Sequence, residues 1–249
     1  MSAPGTVSVV IPALNEEATV ADVVRAVAAD APTEILVIDA DSTDHTAERA
    51  REAGATVLNW RSILPGIPPR PGKGESLWRG VAAARGEAIV FVDADLENPQ
   101  PDMVSRLAAP LADPCVHLVK ASYTRMFEGQ PSGGGRVTEL CAKPIMALLY
   151  PELSHIPQPL AGEYAVRRSV ARRVPFVEGY GVEAGLLVDV ARRWGPGAIR
   201  SVELGPRAHR NRPLEELSPM AEIVAATLID RQSVSERPPL SEIQGDSPC

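Results

Sequence analysis

Short apolar runs alternate with stretches of helical periodicity along the first half of the chain. VSVVIPA (7–13), EILVIDA (34–40), ATVLNW (55–60) and the run at 88–92 are rich in Val and Ile and bounded by polar or turn residues, so each reads as a strand. Helical stretches lie between them. One runs from Glu16 to about Ala29, one opens at Ser42 or Thr43 and stops at Gly54, and one ends at Arg85. This βαβαβ alternation predicts an α/β fold with a mainly parallel central sheet and helices on both faces. A Pro- and Gly-rich loop at 64–76 interrupts it, and a loop of that length in a compact domain is expected to have a function.

The pattern loosens after Pro99. A helix is expected near 102–111, a strand over CVHLVKASY (115–123), and a helix opening at GGGRVTEL (133–140) and running to Tyr150. A strand turning into a short helix follows over 160–174, then a helix at 181–195, a strand at 198–205 and an amphipathic helix at 214–232. From 233 to 249 the chain is polar and Pro-rich and reads as a mobile tail.

Composition narrows the class. A chain of 249 residues with 45% hydrophobic content can bury one sizeable core. A net charge of −7 argues against a nucleic-acid footprint, while the arginines could still hold a small anion locally. Cys115, Cys141 and Cys249 form no C-x-x-C pair, which fits a reducing compartment. The N-terminus lacks the pattern of a signal peptide, and no apolar run approaches the ~20 residues of a membrane span, so a cytoplasmic protein is expected.

The candidate chemistry sits at strand ends. Asp93 and Asp95 follow the strand at 88–92, and two carboxylates so close are tolerated if a cation or solvent screens them. In open α/β sheets ligands bind beyond the carboxyl ends of the strands. A divalent-metal and phosphate site fits, as does a solvated loop in which one Asp caps the next helix. Lys73 lies between Gly72 and Gly74, which could let the backbone approach a phosphate; a solvated loop lysine has the same sequence. Three glycines before Arg136 and Thr138, at a helix start, make a second possible anion site, or a flexible loop before an ordinary cap.

VSVVIPALNEE, VIDADSTDHT, PGKGES and VDAD, in that order, resemble nucleotide-sugar glycosyltransferases of the GT-A fold. GGGRVTEL, AGEYAVRR, GYGVEAGLLVD and RAHRNRPL are more specific. They resemble the glucosyl-3-phosphoglycerate synthases over about residues 6–230. The resemblance implies a donor-binding half at 1–121 and an acceptor-binding half at 122–232 of one GT-A domain. Pro12, Ala13, Leu14, Asn15, Glu16 and Asp39 would surround the nucleotide, with Lys73, Asp93, Ala94 and Asp95 on the donor's sugar or phosphates. Asp95 and His209 would hold Mg²⁺ or Mn²⁺. Gly135, Arg136, Thr138, Tyr180 and Asn211 would bind 3-phosphoglycerate. Asp95, Lys73 and Glu183 would take part in the reaction, Glu183 as an orienting group. One departure is Asp41, where the family usually has a small residue; it puts an extra negative charge near the nucleotide.

The implied reaction moves glucose from a nucleoside diphosphate, UDP first among them, to the 2-hydroxyl of 3-phosphoglycerate with retention. It needs no covalent intermediate, and a homodimer is implied. Other readings stay open at this point: mannosyl transfer from GDP-mannose, transfer to a polyprenyl phosphate, or a non-catalytic nucleotide-binding protein on the same fold.

Overall fold

The structure, a computed structural model, describes residues 5–127, 130–132, 135–207 and 214–245. Strands β1 (Val7–Ala13), β2 (Glu34–Asp39), β3 (Thr56–Asn59) and β4 (Ala88–Phe91) alternate with helices α1 (Val20–Ala28), α2 (Thr46–Glu52) and α3 (Lys73–Ala83). After α4 (Met103–Ala108) come β5 (Leu118–Phe127), β6 (Gln130–Ser132), α5 (Lys143–Leu149), β7 (Tyr164–Arg167), α6 (Arg168–Ala171) and β8 (Phe176–Val177). The described chain closes with α7 (Val182–Trp194), β9 (Ile199–Arg207), α8 (Leu214–Ile229), β10 (Glu236–Arg237) and α9 (Leu240–Gln244).

The main sheet runs β3-β2-β1-β4-β7-β5-β6, with β9 also paired to β5. β3, β2, β1 and β4 are parallel, as are β5 and β9; β7 is antiparallel to both β4 and β5. The strands are buried on both faces, which is why they read as apolar runs and not as strict alternation. Val9, Val37 and Val90 face a layer built on α1, α2 and α4. Val10, Ile38 and Phe91 face one built on α3, α5, α7 and α8. The boundary expected near residue 121 falls inside β5, so the donor and acceptor halves share one sheet and both core layers.

Three local expectations change. Helix α1 starts at Val20, not Glu16. Asn15 is left-handed (φ 56°), and the N–H groups of Glu16 and Glu17 donate to Thr46 Oγ1 and Asp44 Oδ2 instead of starting a helix. Helix α2 starts at Thr46, because Asp44 Oδ1 accepts from the Thr46 N–H and hydroxyl while Ser42 accepts from the Asn15 N–H. The third is the expected tail: residues 233–245 pack against the body. β10 pairs with β8, and Leu240 and Arg237 are buried. Polar, Pro-rich composition hides this because the segment is anchored chiefly by arginines and backbone carbonyls. Among the described residues, no helix is long and apolar enough to cross a membrane.

Candidate active site

Beyond the carboxyl end of β4 lies Lys73. The long loop ends at Gly72, and Lys73 is the first residue of α3, so its place is set by a helix and not by a loose turn. Both flanking glycines are required by the protein's own backbone. A Cβ on Gly74 would lie 1.9 Å from the Val177 carbonyl oxygen, and one on Gly72 would lie 2.7 Å from the Gly179 nitrogen. Gly72 also has φ 117°. The start of α3 is thereby pressed against 177–179, directly before α7.

This contact brings Lys73 to Glu183, in the first turn of α7. Lys73 Nζ is 2.7 Å from Glu183 Oε1 and 2.6 Å from Asp93 Oδ1. Burial pushes the lysine's pKa down, but the Asp93 and Glu183 carboxylates outweigh it and hold Lys73 well above the ordinary lysine range. Asp93 is packed as well as paired, since a Cβ on Gly162 would lie 2.0 Å from its Oδ2. Asp95 is exposed beyond it, between the buried Ala94 and Leu96. The two aspartates therefore differ. Asp93 belongs to a half-buried ionic cluster in which one ammonium faces two carboxylates, and Asp95 faces outward on the strand-end loop.

The loops after β1 and β2 are also assembled. Pro12 and Ala13 end β1 beside Asp39, which is buried and accepts from the Ser42 N–H at 3.3 Å. Leu14 and Asn15 are exposed, and Glu16 is half-buried. The Asn15 side chain accepts from the Thr43 N–H at 2.8 Å, tying the loop after β1 to the loop after β2. Asp41 does not leave a bare charge near the nucleotide. Arg61 Nε donates to it at 2.7 Å and Asn59 Nδ2 at 2.9 Å. Hydrogen bonds from Arg61, Asn59 and Trp60 hold its carboxyl down to about 2.

In the second half of the chain Gly135 leads into a helical segment whose first residue, Arg136, is exposed; Thr138 is buried and opens a π-helical turn, Thr138–Ala142. Such turns often occur at functional sites. Tyr180 is exposed in the turn Gly179–Gly181, and this turn and the π-turn both pack on α8. His209 and Asn211 lie outside the described residues.

Lys120 lies in no motif of the sequence and Tyr164 only inside AGEYAVRR with no role given to it, yet both are buried beside Lys73. Lys120 Nζ donates to the Ala161 carbonyl at 2.7 Å and lies 4.4 Å from the centre of the Tyr164 ring. Burial is the main reason its pKa falls, to about 8. The available signal is a lysine inside the apolar run CVHLVKASY, at a position that the alternation of β5 turns inward. Glu163 is also buried, and its negative charge partly offsets the fall in the Lys120 pKa.

A metal would find few ligands here. Among the described residues no three His, Cys, Asp or Glu side chains are grouped to hold an ion. Exposed Asp95 fits a site in which one or two protein ligands are completed by substrate phosphates and water, as magnesium often requires.

Residues 8–162 match the model of glycosyl transferase family 2. The glucosyl-3-phosphoglycerate synthase of Mycolicibacterium smegmatis is 51% identical over 240 residues, covering 93% of this chain and 79% of that one. A crystal structure of the Mycobacterium tuberculosis glucosyl-3-phosphoglycerate synthase with Mn²⁺, UDP-glucose and phosphoglyceric acid superposes with a TM-score of 0.88 at 44% identity, over 96% of this chain and 91% of that one. A second structure of that enzyme, holding Mn²⁺, UDP and glucosyl-3-phosphoglycerate, gives the same TM-score, identity and coverage. By these matches and by its GT-A-type sheet, this chain belongs to glycosyl transferase family 2 and, within it, to the glucosyl-3-phosphoglycerate synthases.

Proposed function

We propose that the protein transfers glucose from UDP-glucose to the 2-hydroxyl of 3-phosphoglycerate, with retention at the anomeric carbon. The observation that carries the reading is Lys73. It is an ammonium fixed at the sheet's carboxyl edge between Asp93 and Glu183, in a chain whose relatives hold a diphosphate sugar and a phosphoglycerate. Residues 1–121 carry the donor groups, Pro12 to Glu16, Asp39, Lys73, Asp93, Ala94 and Asp95. Residues 122–232 carry the acceptor groups Gly135, Arg136, Thr138 and Tyr180, together with Asn211.

Negative charge grows on the diphosphate as the glycosidic bond breaks. Lys73 lies where it can stabilise that charge, and it keeps its proton at working pH. Asp95 and His209 would hold Mg²⁺ or Mn²⁺, and the ion would supply Lewis-acid neutralisation of the same diphosphate. Asp93 and Glu183 are already committed to Lys73 at 2.6 and 2.7 Å, which suits orienting roles and disfavours either as a covalent nucleophile. Front-face attack by the acceptor hydroxyl, assisted by the leaving phosphate, then accounts for retention. UDP release will require 3-phosphoglycerate and will not respond to a polyprenyl phosphate, and proton NMR of the product will show an α-anomeric signal. A β-linked product would overturn the mechanism, and turnover with the lipid phosphate alone would overturn the acceptor.

The two halves should separate kinetically. Arg136→Ala is expected to raise the KM for 3-phosphoglycerate roughly five- to thirtyfold, since a charge-assisted contact at an exposed position contributes about 1–2 kcal/mol. The KM for UDP-glucose should change less than about twofold on the same grounds. Equal effects on both substrates would count against the division. We further propose a cytoplasmic homodimer. Leu140 and Leu148, which are 78% and 82% exposed, are apolar side chains available to contact a second copy.

A further inference from the structure

We propose that Arg237, near the end of the chain, is a positioning residue for Lys73 and thereby for the donor. The inference rests on the reading of Lys73 as a donor contact.

Two residues after Lys73, in the first turn of α3, Glu75 is fully buried. Arg237 grips it with two nitrogens. Nε is 2.6 Å from Oε2, and Nη2 is 2.9 Å from Oε1. The same guanidinium donates to the Pro68 carbonyl at 2.6 Å and lies over the Trp78 ring, 5.1 Å from its centre. A planar fork that meets both carboxylate oxygens fixes orientation as well as distance. Arg79 also meets Glu75, at 2.6 Å, but it is committed to the carbonyls of Trp60, Ile63 and Ile67. Arg79 holds the preceding loop, and Arg237 joins that loop and the first turn of α3 to the C-terminal segment.

That segment also braces the surface on which α3 rests. β10 pairs with β8, opposing Glu236 to Val177 and Arg237 to Phe176. Ser235 accepts from the Glu178 N–H through its carbonyl, and Arg70 Nη1 meets Glu178 Oε1 at 2.6 Å. Trp78 Nε1 donates to the Pro238 carbonyl at 3.0 Å. Gly72 and Gly74 press on the other side of 177–179. The first turn of α3 is thus held from two directions by residues 235–238, and Lys73 can reach Asp93 and Glu183 together only while that turn keeps its place.

A buried ion pair can also act on stability alone, so a control must loosen the same segment elsewhere. Leu240 is fully buried on α9 and touches none of the Glu75 hydrogen bonds. The experiment measures UDP-glucose binding with Mn²⁺ and no acceptor by calorimetry, alongside thermal melts. Lys73→Ala is expected to weaken binding more than about tenfold, Arg237→Met about tenfold, and Arg237→Lys about threefold, because an ammonium keeps the charge but not the fork. Leu240→Ala should lower the melting temperature at least as much as Arg237→Met yet keep affinity within about twofold. The proposal is overturned if Arg237→Met binds within about twofold of wild type, or if Leu240→Ala weakens binding as much as it does. Should Arg237→Met not fold, Arg237→Lys decides: wild-type affinity overturns the proposal. If Lys73→Ala binds like wild type, the donor-site reading itself fails, a result distinct from failure at Arg237.

Discussion

Lys73→Ala will lose at least about a hundred- to a thousandfold in kcat, the range seen when one preorganised charge or donor is removed from a developing anion. It will also lose stability. Glu183 is 5% exposed and Asp93 24% exposed, and both face the ammonium at under 3 Å. Taking the cation away leaves two carboxylates near each other without the ammonium they share, and breaking such a buried set costs about 3–5 kcal/mol. A loss of rate could then be blamed on a damaged fold. Adding Glu183→Gln separates the causes, because it removes one of the two stranded charges. The double variant should regain much of the melting temperature and none of the rate. If rate and melting temperature return together, Lys73 is a structural cation and the diphosphate is stabilised by something else.

Some of this site is legible in the sequence because it depends on strand ends. A run of five apolar residues that stops at Asp93 has nowhere to put two carboxylates except at the sheet's rim, and the parallel order says which rim. The same holds for Asp39 after β2 and for the loop after β1. Lys73 is legible as a residue but not in its setting. PGKGES reads as a loop around a phosphate, and what no local pattern records is that its glycines also admit the backbone of 177–179, about a hundred positions away. Asp41 is misleading for a similar reason. Its charge is visible and its partner Arg61, across the end of β3, is not.

The C-terminal segment shows the limit most clearly. Low hydrophobicity and repeated proline are a fair signature of disorder when a segment must bury apolar surface to stay folded. Residues 233–245 meet a different requirement. Arg237 fills a buried acceptor already present at Glu75, and Arg172 holds Gln244 and the Gly245 carbonyl from the body of the protein. Both depend on long-range pairs of polar groups. Hydrophobic periodicity carries the sheet and its two helical layers, but it cannot carry an ion pair between positions 75 and 237.

Asp95→Ala should give the opposite balance from Lys73→Ala: a large loss of turnover with an undisturbed fold. Asp95 is exposed, and the buried neighbours that anchor its loop, Ala94 and Leu96, are untouched by the change. Surface substitutions of this kind usually shift stability by no more than about 0.5 kcal/mol, so the melting temperature should stay close to wild type. The rate should not. If Asp95 is the described residue that holds the divalent ion, its loss removes several kcal/mol of charge neutralisation at the leaving diphosphate, or roughly a hundred- to a ten-thousandfold in kcat. Activity is measured with Mg²⁺ or Mn²⁺ titrated in, and again in excess chelator. Chelator should bring the wild type down to the level of the variant and change the variant little, since both treatments remove the same interaction. A wild type that keeps full activity in chelator would end the metal assignment. A variant that recovers wild-type turnover at high metal concentration would leave Asp95 a weak contributor, and the ion would have to be held chiefly by the diphosphate and other protein groups.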